Sequence, residues 1–379
     1  MKIKFIFTAI LATMAVASCQ QDELGENNGS NKEKGTFDVS LPGAPDTYAV
    51  ENPQSAGVIK PFYNDVTVFL VDAGNNVSSY EWTEAEIAAK MKRFEQITEP
   101  SKVIVVANKY ATNLTATNTT ELTAKLATLA IADQNKAALN IPAADGKGNV
   151  GDYVSVQQVT LYGEQTTLTD ETADDGHTLK KAAVELASLV SRFEVGTVKP
   201  GVGLKSLTVE NVYINYFYND YGMTDGNSQK FTEFTWPTDF TPAWATDVAN
   251  AGVTSTDGTK AYAYQVFTGN MVPHIIYKLS GEVAAGYKLA DGTEGEFTGK
   301  YITVSGFKVG AATLAPSNAI ASANIYPMKA HEIYKMGLTG GGIEINVDQI
   351  TDKPEKGKQD LIVAITVAPW TTQEVTPEI

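Results

Sequence analysis

From residue 35 onward, short runs of the chain alternate apolar and polar positions with a period of two, the pattern of half-buried strands. The first run is Gly35-Thr-Phe-Asp-Val-Ser-Leu41, with Phe37, Val39 and Leu41 on one side; Pro42 and Gly43 end it. A stretch of roughly twenty residues containing Pro45, Pro53 and Gly57 comes next, a length that in a compact domain marks a functional or labile loop. Asp65-Val-Thr-Val-Phe-Leu-Val-Asp72 predicts a strong strand, and Lys102-Val-Ile-Val-Val-Ala-Asn108 a buried one. Further strands are predicted at 153–156, 158–162, 182–195, 206–218, 261–267, 274–279, 301–304, 332–338, 344–347 and 361–367. Only two segments read as helices. One is Thr83 to Glu95, where Thr83 and Glu86 form a capping box and Ile87, Met91 and Phe94 recur at helical spacing. The other is Glu121 to Ile131, with Leu122, Leu126 and Leu129 on one face. The polar stretch opened by Gly163 and Glu164, running through Asp170, Glu171, Asp174 and Asp175, reads as a surface loop. Many strands separated by turns, with few helices, predict a mainly β fold built of β-sandwiches. The domain boundary is placed before the apolar run at 182, giving an N-terminal sandwich at 36–180 and a C-terminal one at 181–379.

The start of the chain has a different pattern. Lys2 and Lys4 precede an almost unbroken apolar run from Phe5 to Val16, short for a membrane span and right for the core of a signal peptide. Val16, Ala17 and Ser18 then lead into Cys19, the one cysteine of the chain. This junction resembles the lipobox of bacterial lipoproteins, which implies a signal peptide at 1–18, cleavage before Cys19 and lipid on that residue. Residues 19–35 are polar and read as a flexible tether. Acidic residues soon after a lipidated cysteine also resemble the export signal of Bacteroidetes surface lipoproteins.

Charge and chemistry narrow the function classes. Of 379 residues, 29 are Lys or Arg and 44 Asp or Glu, a formal net charge of −15 that argues against a nucleic-acid partner. His177, His274 and His331 lack a second ligand at metal spacing, and no nucleophile elbow, phosphate loop or zinc-protease motif occurs, so no catalytic residue, metal or cofactor is expected. Asp170, Glu171, Asp174 and Asp175 lack the spacing of a calcium loop. Gly340 to Gly342 lies between two strands and reads as a turn. Of the aromatics Tyr213, Tyr216, Phe217, Tyr218 and Tyr221, about half should serve the core, since alternate rings on a strand face opposite sides.

The last run, Leu361 to Val367, alternates; Pro369 interrupts it, and a second extended piece, Thr371 to Thr376, lies beyond Trp370. With this tail in view the chain resembles the fimbrillins, the FimA-like pilins of Bacteroidales. The resemblance rests on an ordered set: the Cys19 lipobox, then GTFDVSL, DVTVFLVDAGN, KVIVVANKY, VTLYGE, LASLVSRFEV, NIYPMKAHEIYKMGLTG and LIVAITVAPW. It implies two tandem transthyretin-like β-sandwich domains and travel to the cell surface as an outer-membrane lipoprotein. It also implies proteolytic removal of the N-terminal strand, which exposes a sheet edge and groove for a strand from a neighbouring subunit. The expected partners are copies of the chain, other fimbrial subunits, the outer membrane through lipid on Cys19, and surface ligands of host or bacterial cells.

The family's cut comes after an Arg in the loop after the first strand. Here Lys60 is the one basic residue between Gly35 and Ser79, so cleavage is expected after Lys60, although Pro61 is the next residue. The donor strand is expected to be Trp370, Thr371, Thr372, Gln373, Glu374, Val375 and Thr376, with the part before Pro369 staying in its own domain. A second reading is a non-polymerising surface lipoprotein, either a fimbrial tip adhesin or a glycan-binding module. The long tail favours the stalk subunit. Ser188 stands where relatives often carry a basic residue, a matter of packing.

Overall fold

The computed structural model describes residues 35–41, 65–110, 112–135, 139–142, 153–156, 159–172, 178–224, 228–229, 253–254, 260–338, 340–354 and 361–369. The chain is mainly β, as its alternating pattern predicts, with three short α-helices among the described residues.

Apart from a two-stranded pair, Leu139–Pro142 with Tyr153–Val156, the described strands up to Ser188 make two sheets. One has four strands in the order Met91–Ile97, Gly35–Ser40, Thr178–Ala183, Thr169–Thr172. The other has five: Ala187–Ser188, Leu161–Gln165, Lys102–Ala107, Val66–Val71, Val77–Glu81. Across the two sheets the Tyr80 ring meets Phe94 edge-on at 5.0 Å. Every residue of Val66–Val71 is buried, so this strand is covered on both faces, and Leu114, Leu122, Leu126 and Leu129 join the same core. The turn between Val66–Val71 and Val77–Glu81 is held by Asp72, whose Oδ1 accepts from the backbone N–H of Gly74 at 2.7 Å and of Asn76 at 2.9 Å.

Two expectations are corrected here. The helix that starts at Thr83 keeps its capping box but stops at Ala89. Lys90 takes a left-handed conformation (φ 53°), and its N–H closes on the carbonyls of Glu86 and Ile87. The chain then leaves as the strand Met91–Ile97. Phe94, at helical spacing in the sequence, instead packs its ring against Phe37 of the neighbouring strand at 6.2 Å. The stretch from Gly163 to Glu171 is likewise not a loop. Leu161–Gln165 and Thr169–Thr172 are strands, the second pairing antiparallel with Thr178–Ala183, and Lys180 meets the Asp170 carboxylate at 2.6 Å. The ladder and this ion pair outweigh the polarity of the segment.

From Val190 ten of the described strands form one sheet, while two small pairs, Val198–Pro200 with Ile343–Ile345 and Phe217–Tyr218 with Ser228–Gln229, stand apart from it. Its main path runs Leu204–Asn215, His274–Val283, Glu296–Val309, Leu361–Pro369, Glu332–Met336, Val190–Val195, Lys260–Phe267, Val253–Thr254. Phe193 and Phe307 stand three strands apart along that path, roughly 14 Å in a flat sheet. Their rings lie 5.8 Å apart, so the sheet folds over on itself and encloses its own core. Tyr277 closes the same gap, its Oη donating to the Gly196 carbonyl at 3.0 Å. The first two sheets and the third are joined by backbone bonds: Ile131 N–H to Asn219 O (2.8 Å), Tyr221 N–H to Leu129 O (3.0 Å) and Gly222 N–H to Ala127 O (2.8 Å). Asn135 adds a second link; its side chain donates to the Gln265 carbonyl and accepts the Gln265 N–H.

Candidate strand-exchange site

The first strand, Gly35–Ser40, is interior to its sheet. It runs parallel to Thr178–Ala183, with Phe37 opposite Lys180 and Val39 opposite Ala182. It runs antiparallel to Met91–Ile97, with Phe37 opposite Phe94 and Val39 opposite Lys92. The ladder extends past its end, where Leu41 N–H donates to Lys90 O at 3.1 Å and Val184 N–H to Ser40 O at 2.9 Å. Phe37, Val39 and Leu41 are buried, each worth roughly 1.5–3 kcal/mol of apolar transfer. The sequence led to the expectation that removal of this strand exposes one sheet edge. The topology gives two, facing each other across roughly 10 Å, the width of a single missing strand.

Charge is concentrated along this strand. Asp38 lies opposite Lys181 on one neighbour and Arg93 on the other. Its buried carboxylate accepts from Arg93 Nε and Nη2, both at 2.9 Å, a two-pronged pair. Lys92 and Lys180 also flank the strand, but they pair with acids of other elements: Glu86 at 2.7 Å and Asp170 at 2.6 Å. Burial alone would raise the Glu86 carboxyl; hydrogen bonds from Lys92 and the Thr83 N–H outweigh it and hold it below the usual range.

The strand before the tail is also interior to its sheet. Leu361–Pro369 lies parallel to Glu296–Val309, with Leu361 opposite Val304 and Ile365 opposite Val309. On its other side it is antiparallel to Glu332–Met336, with Thr366 opposite Lys335 and Pro369 opposite Glu332. Pro369, which has no N–H to donate, is the last paired residue. The chain up to Pro369 therefore completes its own sheet. The expected donor residues Trp370, Thr371, Thr372, Gln373, Glu374, Val375 and Thr376 lie outside the described residues, as do Cys19 and Lys60.

Other residues singled out from the sequence take structural places. His274 begins a strand, buried, with its ring stacked on Tyr216 at 4.1 Å. His331 has φ 48° just before the strand Glu332–Met336, while His177, Asp174 and Asp175 lie outside the described residues. Tyr213, Phe217 and Tyr218 are buried, whereas Tyr216 and Tyr221 are partly exposed. Gly340, Gly341 and Gly342 all have positive φ, as a turn requires. Ser188 is buried, and its Oγ donates to Val190 O at 2.7 Å. Among the described residues no group of three His, Cys, Asp or Glu side chains could hold a metal ion. The residue that sequence reasoning missed is Arg93. It fell inside the segment read as helix, and its one available signal was rarity, since Arg93 and Arg192 are the chain's two arginines.

No family model and no curated protein matches the chain. Among solved structures, a candidate cell adhesion protein from Bacteroides eggerthii is 14% identical over 91% of this chain and 98% of its own, with a TM-score of 0.47. One from Parabacteroides distasonis is 12% identical over 90% and 100%, with a TM-score of 0.47. A fimbrilin from Porphyromonas gingivalis is 14% identical over 89% and 98%, with a TM-score of 0.41. These three structures, two candidate cell adhesion proteins and a fimbrilin, come from Bacteroidales and share low identity with this chain.

Proposed function

We propose that this chain is a structural fimbrial subunit, anchored first to the outer membrane through lipid on Cys19 and then polymerised at the cell surface by strand exchange. The observation that carries this reading is the interior position of Gly35–Ser40. The next described strand, Val66–Val71, belongs to the other sheet. A cut after Lys60 would therefore leave the first strand held by its ladders, three apolar side chains and the Asp38–Arg93 pair, without its covalent link to the strand that follows. Its departure would leave a slot one strand wide, with unpaired N–H and C=O groups on both sides, a strong template for an incoming strand. The segment from Trp370 to Thr376 of a neighbouring copy fills that slot, supported by the end of pairing at Pro369. A division into two domains draws support from the division of strands between sheets, but that change falls at residue 189, beyond the 180/181 boundary read from the sequence, since Thr178–Ala183 and Ala187–Ser188 pair with earlier strands.

The test is electron microscopy of material sheared from cells making the full chain or a chain ending at Pro369. The shortened chain should melt as one folded protein and give no fibres. The full chain should give fibres whose subunits begin at Pro61 by mass spectrometry. Fibres from the shortened chain, or subunits that retain residues 35–41, would contradict the proposal.

A further inference from the structure

We infer that Arg93 selects the strand that occupies the slot, and that on the incoming tail it pairs with Glu374. This inference rests on the strand-exchange reading above and adds to it a residue that sets register and specificity.

The ion pairs described along the first strand differ in what its departure does to them. Lys92–Glu86 and Lys180–Asp170 are formed by residues that stay in the subunit. Arg93–Asp38 has its carboxylate on the strand that leaves. The Asp38 side chain is 3% exposed and that of Arg93 49%, so the pair sits at the boundary of the buried slot. Leaving, the strand takes away a buried acid that both Nε and Nη2 of Arg93 hold at 2.9 Å, and Lys181 stands on the opposite wall at the same level. An occupant with a basic residue at that level would bring a third cation beside Arg93 and Lys181. One with a carboxylate there restores the fork-shaped pair, a geometry that suits Arg and fixes which residue lies at that level.

The tail has the matching chemistry. Trp370-Thr-Thr-Gln-Glu-Val-Thr-Pro-Glu-Ile379 contains two acids and no Lys or Arg. It is ten residues long, against the seven from Gly35 to Leu41 that fill the slot in the intact chain. In an extended segment alternate residues share a side, so Glu374 and Glu378 would lie on one side and Gln373, Val375 and Ile379 on the other. Glu374-Val375 repeats the acid–valine step of Asp38-Val39. A shift of one residue would turn Glu374 toward the apolar side, so the charge pair and the apolar pattern demand the same register.

The test inverts the pair without unpairing the precursor. A chain carrying Asp38→Lys with Arg93→Glu keeps opposite charges facing each other at positions 38 and 93, and its thermal melt reports that it folds. With an unchanged tail its fibre yield, counted by electron microscopy of sheared material, should fall roughly tenfold or more, because Glu374 now meets a second carboxylate at position 93. Adding Glu374→Lys should restore the yield. Should the inverted chain fail to fold, Glu374→Lys alone gives the same reading, with a roughly tenfold loss expected and Glu374→Asp retaining assembly. Unchanged yield from the inverted chain or from Glu374→Lys, or no rescue by the combination, overturns the inference. A chain ending at Pro369 separates the two ideas. If it forms fibres, strand exchange by the tail is wrong. If it forms none while the charge variants assemble normally, only the role of Arg93 is wrong.

Discussion

A Cβ added at Gly163 would stand 2.1 Å from the Glu185 carbonyl oxygen and 2.9 Å from side-chain atoms of Val184 and Leu186. The backbone of Glu185 crosses so close because residues 184–186 link a strand of the first sheet to one of the second. Gly163→Ala should therefore destabilise the protein by about 1–3 kcal/mol, the usual cost of forcing atoms into a packed site, read as a lower midpoint in urea unfolding. Alanine there with no loss would mean that the linker gives way freely. At this scale the sequence was legible where one strand's own alternation decides the outcome, as for Phe37, Val39 and Leu41, all of which are buried. It was not legible where the partner is distant in the chain. Asp38 and Arg93 are 55 residues apart, and nothing local to either marks the pair. The close approach at Gly163 is of the same kind, since the atoms it meets come from residues 184–186.

Helix Thr119–Leu126 shows how much a short element depends on its first turn. Asn118 caps it, its side chain accepting the Glu121 N–H at 2.9 Å. The Glu121 carboxylate in turn accepts from the Thr117 N–H and hydroxyl, both at 2.9 Å. Its pKa is lowered to about 2, first by the hydrogen bond from Lys125 and then by those from Thr117. A carboxyl whose folded pKa is depressed adds stability above its unfolded value, near 4.5, and loses it as pH falls toward about 2. The protection factors of amides in this helix, which divide out the intrinsic exchange rate, should therefore fall as pH is lowered from 4.5 to 2, and Glu121→Gln should flatten that response. An equal response in both proteins would show that the carboxylate does not hold the turn. The leucine stripe predicted this helix but extended it to Ile131; it ends at Leu126, Leu129 is buried just beyond it, and a separate one-turn helix begins at Ile131. The other predicted helix ran too far, because Met91 and Phe94 fit a helix stripe as well as they fit a strand. Lys90 ends it in a left-handed conformation that glycine would have advertised and lysine does not.

For the molecule as a whole, both ends of the described chain are built into the middle of sheets. Gly35–Ser40 lies between Met91–Ile97 and Thr178–Ala183. Leu361–Pro369 lies between Glu296–Val309 and Glu332–Met336. The two strands differ in how the chain continues beyond them. The first runs on into a long connection to another sheet that holds Lys60, and the second into a short acidic tail. In the strand-exchange proposal this asymmetry assigns the first strand as the one exchanged and the tail as the one given. The mainly β class was legible because alternation and turn residues are local. The interior position of the first strand was not, since it depends on Thr178–Ala183 joining it in parallel from more than a hundred residues away. The measurement that tests strand exchange most directly is a cryo-electron-microscopy map of sheared fibres, read between the strands Met91–Ile97 and Thr178–Ala183. Density that traces Thr371 to Thr376 of the neighbouring subunit, with Glu374 beside Arg93, is the expected result. Density that traces the subunit's own Gly35–Ser40 in that slot, in fibres that nonetheless hold together, would contradict it.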